Sequence, residues 1–95
     1  MSAYIIASVD VTDMDQYRKY TAVTPDIIAQ YGGKFIVRGG ETVTLEGAEI
    51  SHRTVVIEFP SLQQAQDFYH SEEYTAAKLI RKNAATASFI AVDGV

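Results

Sequence analysis

The sequence predicts an α+β fold in which four antiparallel strands form a sheet with helices packed on one face. Four segments are rich in β-branched and aromatic residues, and two regions between them repeat apolar residues at helical spacing. These segments follow one another in the order β-α-β-β-α-β. Residues 1–95 are expected to form one small domain, near the lower size limit for a core without disulfides or metals.

The first predicted strand and helix lie at the start of the chain. Residues 4–11 (YIIASVDV) alternate and are rich in Ile and Val, and Thr12 or Asp13 then offers an N-cap for a helix. Pro25 interrupts the helical pattern, which therefore predicts either two collinear helical pieces or one kinked helix. Gly32 is expected to adopt the left-handed conformation that ends this helical region.

Two glycine pairs enclose the second predicted strand, because residues 32–40 read GGKFIVRGG. The strand itself is expected at residues 34–38, and Gly39-Gly40 is expected to mark a bulge, a bend or a close approach of backbone or ligand. A weaker strand is predicted at residues 42–46 (TVTLE), and the clearest strand pattern covers residues 52–59 (HRTVVIEF).

The second half of the chain predicts two short helices and a final strand. Ser61 and Gln64 form a capping-box pattern that opens one helix, and Ser71 precedes two glutamates at the start of another. Residues 87–92 (ASFIAV) complete the pattern as the last strand. This order of elements is that of the ferredoxin-like fold.

Composition and charge limit the classes of function. The net charge is −4, with 8 basic and 12 acidic residues, so no nucleic-acid partner is expected. The chain has no cysteine, which excludes disulfides, a thiol nucleophile and cysteine metal sites and is compatible with the cytoplasmic location that we expect. The first residues lack a basic region followed by a long apolar run, so neither a signal peptide nor a membrane span is predicted.

Strand side chains alternate between the two faces of a sheet, so residue parity sorts them. The odd-numbered set from the first three strands is apolar throughout and is expected to face the helices: Ile5, Ala7, Val9, Phe35, Val37, Val55, Ile57 and Phe59. The even-numbered set mixes apolar, polar and charged residues: Tyr4, Ile6, Ser8, Asp10, Ile36, Arg38, Thr54, Val56 and Glu58. The even-numbered side chains are too apolar for a face exposed to water and too polar for a face buried in a dry core. We therefore expect a homodimer that closes over this face, with a monomer as the alternative.

Four stretches together resemble the domain-of-unknown-function family numbered 1330. They are residues 31–40 (YGGKFIVRGG), 45–47 (LEG), 55–60 (VVIEFP) and 69–74 (YHSEEY). The resemblance spans essentially the whole chain and implies a ferredoxin-like protomer and a face-to-face dimer of the dimeric α+β barrel superfamily. It implies no function, since none is established for the family.

Eleven residues of this chain match positions of the family's motifs. These are Arg38, Gly39, Gly40, Glu46, Gly47, Arg53, Glu58, Pro60, Tyr69, Ser71 and Tyr74. Family members often place a tryptophan soon after the Glu-Gly turn, whereas this chain reads Ala48-Glu49-Ile50 there and has no tryptophan at all. The role of that aromatic residue is therefore replaced or missing in this chain.

Arg38 and Glu58 are the first candidates for chemistry, because parity places both on the mixed face. Arg38 is expected to grip a substrate carboxylate, and Glu58 to act as a general base if burial raises its pKa. The alternative is a structural ion pair between them.

Ser8, Asp10 and His52 share the same parity and are candidate ligand-binding residues. They suggest a hydrolase, but no G-x-S-x-G turn exposes the serine. Tyr69 and Tyr74 flank a helix break and are candidates for the rim of the cavity, with packing in the core as the alternative.

No metal or cofactor site is predicted. The two histidines are far apart in sequence, and no glycine-rich nucleotide loop is present. Two functions therefore stay open: a cofactor-independent enzyme acting on a small anionic or phenolic metabolite in a cavity between the sheet and its partner, and a non-catalytic ligand-binding or accessory protein.

Overall fold

A computed structural model describes residues 2–49 and 52–95, so Met1, Ile50 and Ser51 lie outside the described part. Within it the elements are β1 (Ala3–Val11), α1 (Met14–Gln30), β2 (Lys34–Arg38), β3 (Arg53–Phe59), α2 (Leu62–Tyr69), α3 (Glu72–Arg81) and β4 (Ala85–Asp93). The strands form one antiparallel sheet in the order β2-β3-β1-β4. The predicted α+β, ferredoxin-like fold is confirmed.

The first helical region is a single helix rather than two pieces. Asp13 caps it by accepting a hydrogen bond from the backbone N–H of Gln16 at 3.1 Å, and the helix continues through Pro25. Gly32 follows the helix with a φ of +78°, as predicted for a residue that closes a helix.

Serine hydroxyls begin both short helices, as the sequence predicts. Ser61 accepts a hydrogen bond from the backbone N–H of Gln64 at 3.1 Å. Ser71 accepts one from the N–H of Tyr74 at 3.1 Å and donates its proton to the carbonyl of Phe68 at 2.7 Å. Ser71 therefore joins the end of α2 to the start of α3 through buried hydrogen bonds.

The strand predicted at residues 42–46 is wrong. These residues belong to no strand or helix, and the side chains of Val43 and Leu45 are 72% and 93% exposed. Gly39 has a φ of +70°, which turns the backbone after Arg38. The alternating pattern of residues 42–46 has no neighbouring strand among the described residues to pair with.

The described helices cover only one face of the sheet. The covered face carries buried residues of β1 and β3, as parity predicts: Ala3, Ile5, Ala7, Val9, Val55, Ile57 and Phe59. Tyr17, Phe68 and Tyr74 pack on them from the three helices. On the other face, which we call the uncovered face, Ile6, Ile36 and Ile90 are 37%, 49% and 60% exposed.

A β-bulge reverses the parity of β2. Phe35 lies opposite Ile57, but Val37 lies opposite Val56 and Arg38 opposite Val55, so β2 has one extra residue at Ile36. The predicted faces of Val37 and Arg38 are therefore wrong. Val37 lies on the uncovered face, and Arg38 lies on the helix side.

The link between α2 and α3 gives a stability test. Replacing Ser71 with Ala removes the cap of α3 and leaves the N–H of Tyr74 without its acceptor in a buried place, so we expect the free energy of unfolding to fall by about 1–2 kcal/mol. Urea denaturation at one fixed protein concentration measures the change. Thr42→Ala, at an exposed residue outside the helices and strands, is the control and should change it by less than about 0.5 kcal/mol. Equal effects of the two substitutions would contradict the assignment.

Candidate functional site

A cleft lies between the helix side of the sheet and helix α1, and we call it the arginine cleft. The cleft encloses a cavity of about 30 Å³. Aromatic rings line it from the sheet and the helices, namely Phe35, Phe68, Phe89, Tyr17, Tyr20 and Tyr74. Thr24, Arg38 and Arg53 supply further polar groups. The cleft is thus mainly apolar, with hydroxyl and guanidinium groups set in its wall.

Both arginines reach the cleft from the sheet. Arg38 lies there because of the bulge in β2, and the Cζ atom of its exposed side chain is 4.4 Å from the centroid of the Phe35 ring. Arg53 is half-buried and faces the same side, because it lies opposite the buried Val9 in β1. The two guanidinium groups therefore belong to one lining.

No carboxylate neutralises these arginines in the part of the chain that the structure describes. The ion pairs found there are Arg18–Asp15, Lys34–Glu58 and His52–Asp10. The Nε of Arg53 is buried and has no hydrogen-bond partner among those residues. Such a group usually has a partner, because an unpaired buried donor costs about 1–3 kcal/mol.

Gly39 makes room for the guanidinium of Arg53. A Cβ atom built on Gly39 would overlap the guanidinium, and the positive φ of Gly39 also disfavours any other residue. The glycine after Arg38 therefore serves both arginines: it turns the chain after one of them and accommodates the side chain of the other.

Five residues with hydroxyl groups line the cleft, and four of them are buried. Tyr17, Tyr20 and Thr24 come from α1 and Tyr74 from α3, and these residues are 4%, 7%, 3% and 1% exposed. The hydroxyl oxygens of Tyr20 and Tyr74 form a hydrogen bond of 2.6 Å. Burial raises the pKa of Tyr20 far above its ordinary value and also raises that of Tyr74, although Tyr20 and Arg81 oppose the shift at Tyr74. Both phenols therefore remain protonated at physiological pH.

The lining of the arginine cleft contains no Asp, Glu or His among the residues described. Guanidinium groups only donate hydrogen bonds, and protonated hydroxyls also donate. An arrangement of this kind stabilises a negatively charged or oxygen-rich group, and it supplies no carboxylate or imidazole to remove a proton.

The predicted partnership of Arg38 with Glu58 is wrong. Glu58 lies on the uncovered face, where one of its carboxylate oxygens is 3.4 Å from the Nζ of Lys34. Hydrogen bonds from Ser2 and Lys34 hold the pKa of Glu58 below its ordinary value. Glu58 therefore lacks the raised pKa on which its predicted role as a base depended, and the alternative Arg38–Glu58 ion pair does not form either.

Ser8, Asp10 and His52 lie together on the uncovered face. The hydroxyl oxygen of Ser8 is 3.4 Å from Nδ1 of His52, and Nε2 of His52 is 4.0 Å from a carboxylate oxygen of Asp10. The second distance is too long for a hydrogen bond. Ser8 also sits in the middle of β1, opposite Thr54 and Ser88, rather than on an exposed turn.

The two tyrosines predicted at the cavity rim lie in different places. Tyr74 lines the arginine cleft from the core, whereas Tyr69 borders a separate groove with His70, beside the end of α2. The Nζ atom of Lys78 lies 4.4 Å from the centroid of the Tyr69 ring. No group of three or more candidate metal ligands occurs within residues 2–49 and 52–95.

Sequence reasoning missed four residues of the cleft as site residues. Tyr17, Tyr20 and Thr24 follow each other at intervals of three and four, which places them on one face of α1, but this spacing is equally typical of core residues. Arg53 is odd-numbered, and the odd-numbered residues of β3 face the helices. Residue parity could therefore have placed Arg53 on the side of the cleft.

The chain belongs to the family described as a domain of unknown function, DUF1330, whose model matches residues 2–95. No significant relative is found among curated proteins. None of the described helices is both long and apolar enough to span a membrane.

Solved structures share the fold at low sequence identity. A protein of unknown function from Rhodopseudomonas palustris has a TM-score of 0.76 and 17% identity, with 99% of this chain and 82% of that chain covered. SnoaB, a cofactor-independent oxygenase from Streptomyces nogalater, has a TM-score of 0.66 and 10% identity, with coverage of 99% and 93%. A dimeric ferredoxin-like protein of unknown function from Thermobifida fusca has a TM-score of 0.62 and 13% identity, with coverage of 99% and 92%.

The contact between Lys34 and Glu58 gives a test by titration. In Lys34→Met we expect the pKa of Glu58 to rise, because the carboxylate loses one hydrogen bond and one positive charge, but to stay below its ordinary value because Ser2 still donates. NMR of the side-chain carboxyl carbon measures it. Lys19→Met, on exposed α1, should leave the titration unchanged. An unchanged pKa in Lys34→Met would show that the contact is absent in solution.

Proposed function

We propose that the protein binds a small organic anion in the arginine cleft, with Arg38 and Arg53 holding its charged group. The observation that supports the proposal best is the pair of guanidinium groups that lack a carboxylate partner among the described residues and share a cleft with no acidic lining. A ligand carboxylate would supply the missing acceptors through charge-assisted hydrogen bonds.

The same observation moves the predicted ligand site to the other side of the sheet. Of the residues predicted from the sequence, Arg38 and Tyr74 stay in the proposed site, and Arg53 joins them. Ser8, Asp10, His52 and Glu58 lie on the uncovered face, which we assign to the dimer partner, and Tyr69 borders the separate groove described above.

Binding without catalysis is the function that the cleft supports best, because its described lining offers no carboxylate or imidazole as a general base. A second candidate is a cofactor-independent oxygenase, the activity named for SnoaB. Such an enzyme would bind a phenolate that dioxygen oxidises, and the two arginines would stabilise that ionised form. This candidate depends on likeness of fold, which does not determine function.

We also propose a homodimer in which a second copy covers the uncovered face. That face carries an apolar half formed by neighbouring residues of four strands: Tyr4, Ile6, Ile36, Val37, Val56, Ile90 and Val92. Its other half is polar and holds Ser8, Asp10, His52, Thr54, Thr86 and Ser88. A two-fold axis would bring identical apolar halves together, as isologous interfaces do.

The anion site is tested by ligand-induced stabilisation. A thermal-shift series with formate, acetate and propionate, at constant ionic strength, should raise the Tm of the wild type progressively, because the stabilisation grows with the logarithm of ligand concentration above Kd. Replacing both Arg38 and Arg53 with Met should weaken binding roughly tenfold or more, because hydrogen bonds to charged groups contribute about 1.5–3 kcal/mol each.

Arg18→Met is the matched control for this experiment. Arg18 is exposed and lies outside the cleft, where it pairs with Asp15 at 3.3 Å, so its loss should leave the ligand-dependent shift unchanged. The proposal fails if no carboxylate stabilises the wild type, or if the double variant is stabilised equally.

Introducing a charged residue into the apolar half of the uncovered face tests the proposed dimer. Ile90→Lys would bury an ammonium group twice in a two-fold interface, so we expect the dissociation constant to rise by roughly a hundredfold or more. Sedimentation equilibrium measures it. Leu79→Lys, at a residue of α3 that is 67% exposed, is the matched control and should leave the dimer intact. A wild type that sediments as one subunit at micromolar concentration would contradict the proposal.

A further inference from the structure

The segment that follows β2 exposes apolar residues to solvent. Residues 41–49 are all exposed and belong to no strand or helix, and Val43 and Leu45 are 72% and 93% exposed. The backbone groups of these two residues form no hydrogen bond with any described residue. We call residues 43–46 the arm. An alternating apolar segment of this kind is suited to pair with a strand of another chain.

The arm lies beside the polar half of the uncovered face. It lines one surface depression together with Thr54, and Thr54 belongs to that face because it lies opposite Ser8 of β1. The positive φ of Gly39 turns the backbone out of β2 just before the arm. The arm therefore borders the surface that we assign to the dimer partner.

Strand β4 has one unpaired edge in the described part of the chain. It pairs with β1 along all nine of its residues without a bulge, and no described strand lies on its other side. Its sequence, ATASFIAVD, has no lysine or proline, the residues that often protect an edge from further pairing. Beside this edge, at Phe89, Ile90 and Ala91, lies the groove that Tyr69 borders, with a cavity of about 220 Å³. The edge and the groove can therefore accept an extended segment with apolar side chains.

The division of the uncovered face determines the direction of the two-fold axis. The boundary between its apolar and polar halves runs across the strands, since Ile6 and Ser8 of β1 lie on opposite sides of it. An axis parallel to the strands places each half on the same half of the second copy. An axis perpendicular to the strands would place apolar on polar halves, or would leave half of the face without a partner. The pattern therefore favours the parallel axis.

This axis brings the two unpaired edges of the dimer together. The strand order β2-β3-β1-β4 places β2 and β4 at opposite edges of the sheet, so rotation about the axis sets β2 of each copy over β4 of the other. Packed sheets lie about 10 Å apart, and residues 40–46 span about 23 Å when extended, so the arm can reach the second copy. Because β2 runs antiparallel to β4, an arm that continues β2 also runs antiparallel to β4 of the second copy.

Building on the homodimer proposed above, we propose that the arm of each copy pairs as an additional antiparallel strand with the free edge of β4 in the other copy. The backbone of the arm would satisfy the unpaired N–H and C=O groups of that edge. Val43 and Leu45 would be buried against the apolar residues beside it. The two-fold axis creates this contact twice in each dimer.

Amide hydrogen exchange of the wild type tests the pairing directly. At a concentration where sedimentation equilibrium shows the dimer, mass spectrometry should find that residues 43–46 exchange on average roughly tenfold or more slowly than an unstructured peptide of the same sequence. The hydrogen bonds of the added strand would cause this protection. Exchange at the rate of the peptide would overturn the inference.

Removing the apolar side chains of the arm tests its contribution to the dimer. In the double variant Val43→Ser, Leu45→Ser we expect the dissociation constant of the dimer to rise roughly tenfold or more, because two apolar side chains lose their burial. Both residues are exposed in the single copy, so the fold of the chain should be kept. Val95→Ser, at an exposed apolar residue outside the arm, is the control. A dissociation constant unchanged in the double variant would contradict the proposal.

Cross-linking locates the contact, because the chain has no cysteine of its own. A Leu45→Cys protein is mixed under oxidising conditions with proteins in which one of residues 86–90 is replaced by cysteine. At least one of these mixtures should give a disulfide-linked dimer of the two different variants. Leu79→Cys, on exposed α3, should give none. A dimer that cross-links at none of the five positions would overturn the assignment to β4.

Failure of this inference is distinguishable from failure of the homodimer. A dimer with unprotected residues 43–46 would overturn the inference and leave the homodimer standing. A wild type that sediments as one subunit would overturn both proposals.

Discussion

The bulge at Ile36 decides on which side of the sheet the guanidinium of Arg38 lies. Without the extra residue, Arg38 would lie opposite Thr54 and share the uncovered face with Glu58. With the extra residue, Arg38 lies opposite Val55 and lines the same cleft as Arg53, between the sheet and helix α1. A bulge of one residue therefore assembles the cationic side of the cleft and removes a charge from the surface that we assign to a dimer partner.

The cleft is defined by an imbalance between donors and acceptors. The chain carries a net charge of −4, yet the lining brings two guanidinium groups and five hydroxyls together without an acid among the described residues. Burial keeps Tyr20 and Tyr74 protonated, so neither phenol supplies a compensating negative charge. Because water satisfies such donors less well than an anion does, the imbalance favours a negatively charged, oxygen-bearing ligand.

We thus assign separate roles to the two faces of the sheet. The helix side combines the core with the arginine cleft, whereas the uncovered face divides into an apolar half around Ile6 and Ile90 and a polar half around Ser8 and His52. This division separates the ligand proposal from the dimer proposal, since their residues lie on opposite faces of the sheet.

Much of the fold follows from local patterns, and the site follows from them only in part. Parity placed the buried residues of β1 and β3 correctly, and the caps at Ser61 and Ser71 were visible as short motifs. Parity failed after Ile36, because a bulge has no reliable signature in one sequence. Residues 42–46 resemble a strand, but pairing depends on a neighbour that local propensity does not reveal.

The tyrosine and threonine residues of α1 illustrate a different limit. The spacing of Tyr17, Tyr20 and Thr24 is that of ordinary core residues, and only the cavity that they line distinguishes them. Likewise Ser8, Asp10 and His52 share a face as their parity suggests, but the separation of 4.0 Å between His52 and Asp10 is visible only in three dimensions.

A crystal structure with 3-bromopropionate tests the central claim most directly, because bromine is located by its anomalous scattering. We expect a bromine peak in the cleft between the sheet and α1, with the carboxylate against the guanidinium groups. A ligand bound instead beside Glu58 or His52 on the opposite face, with the cleft occupied by water alone, would contradict it.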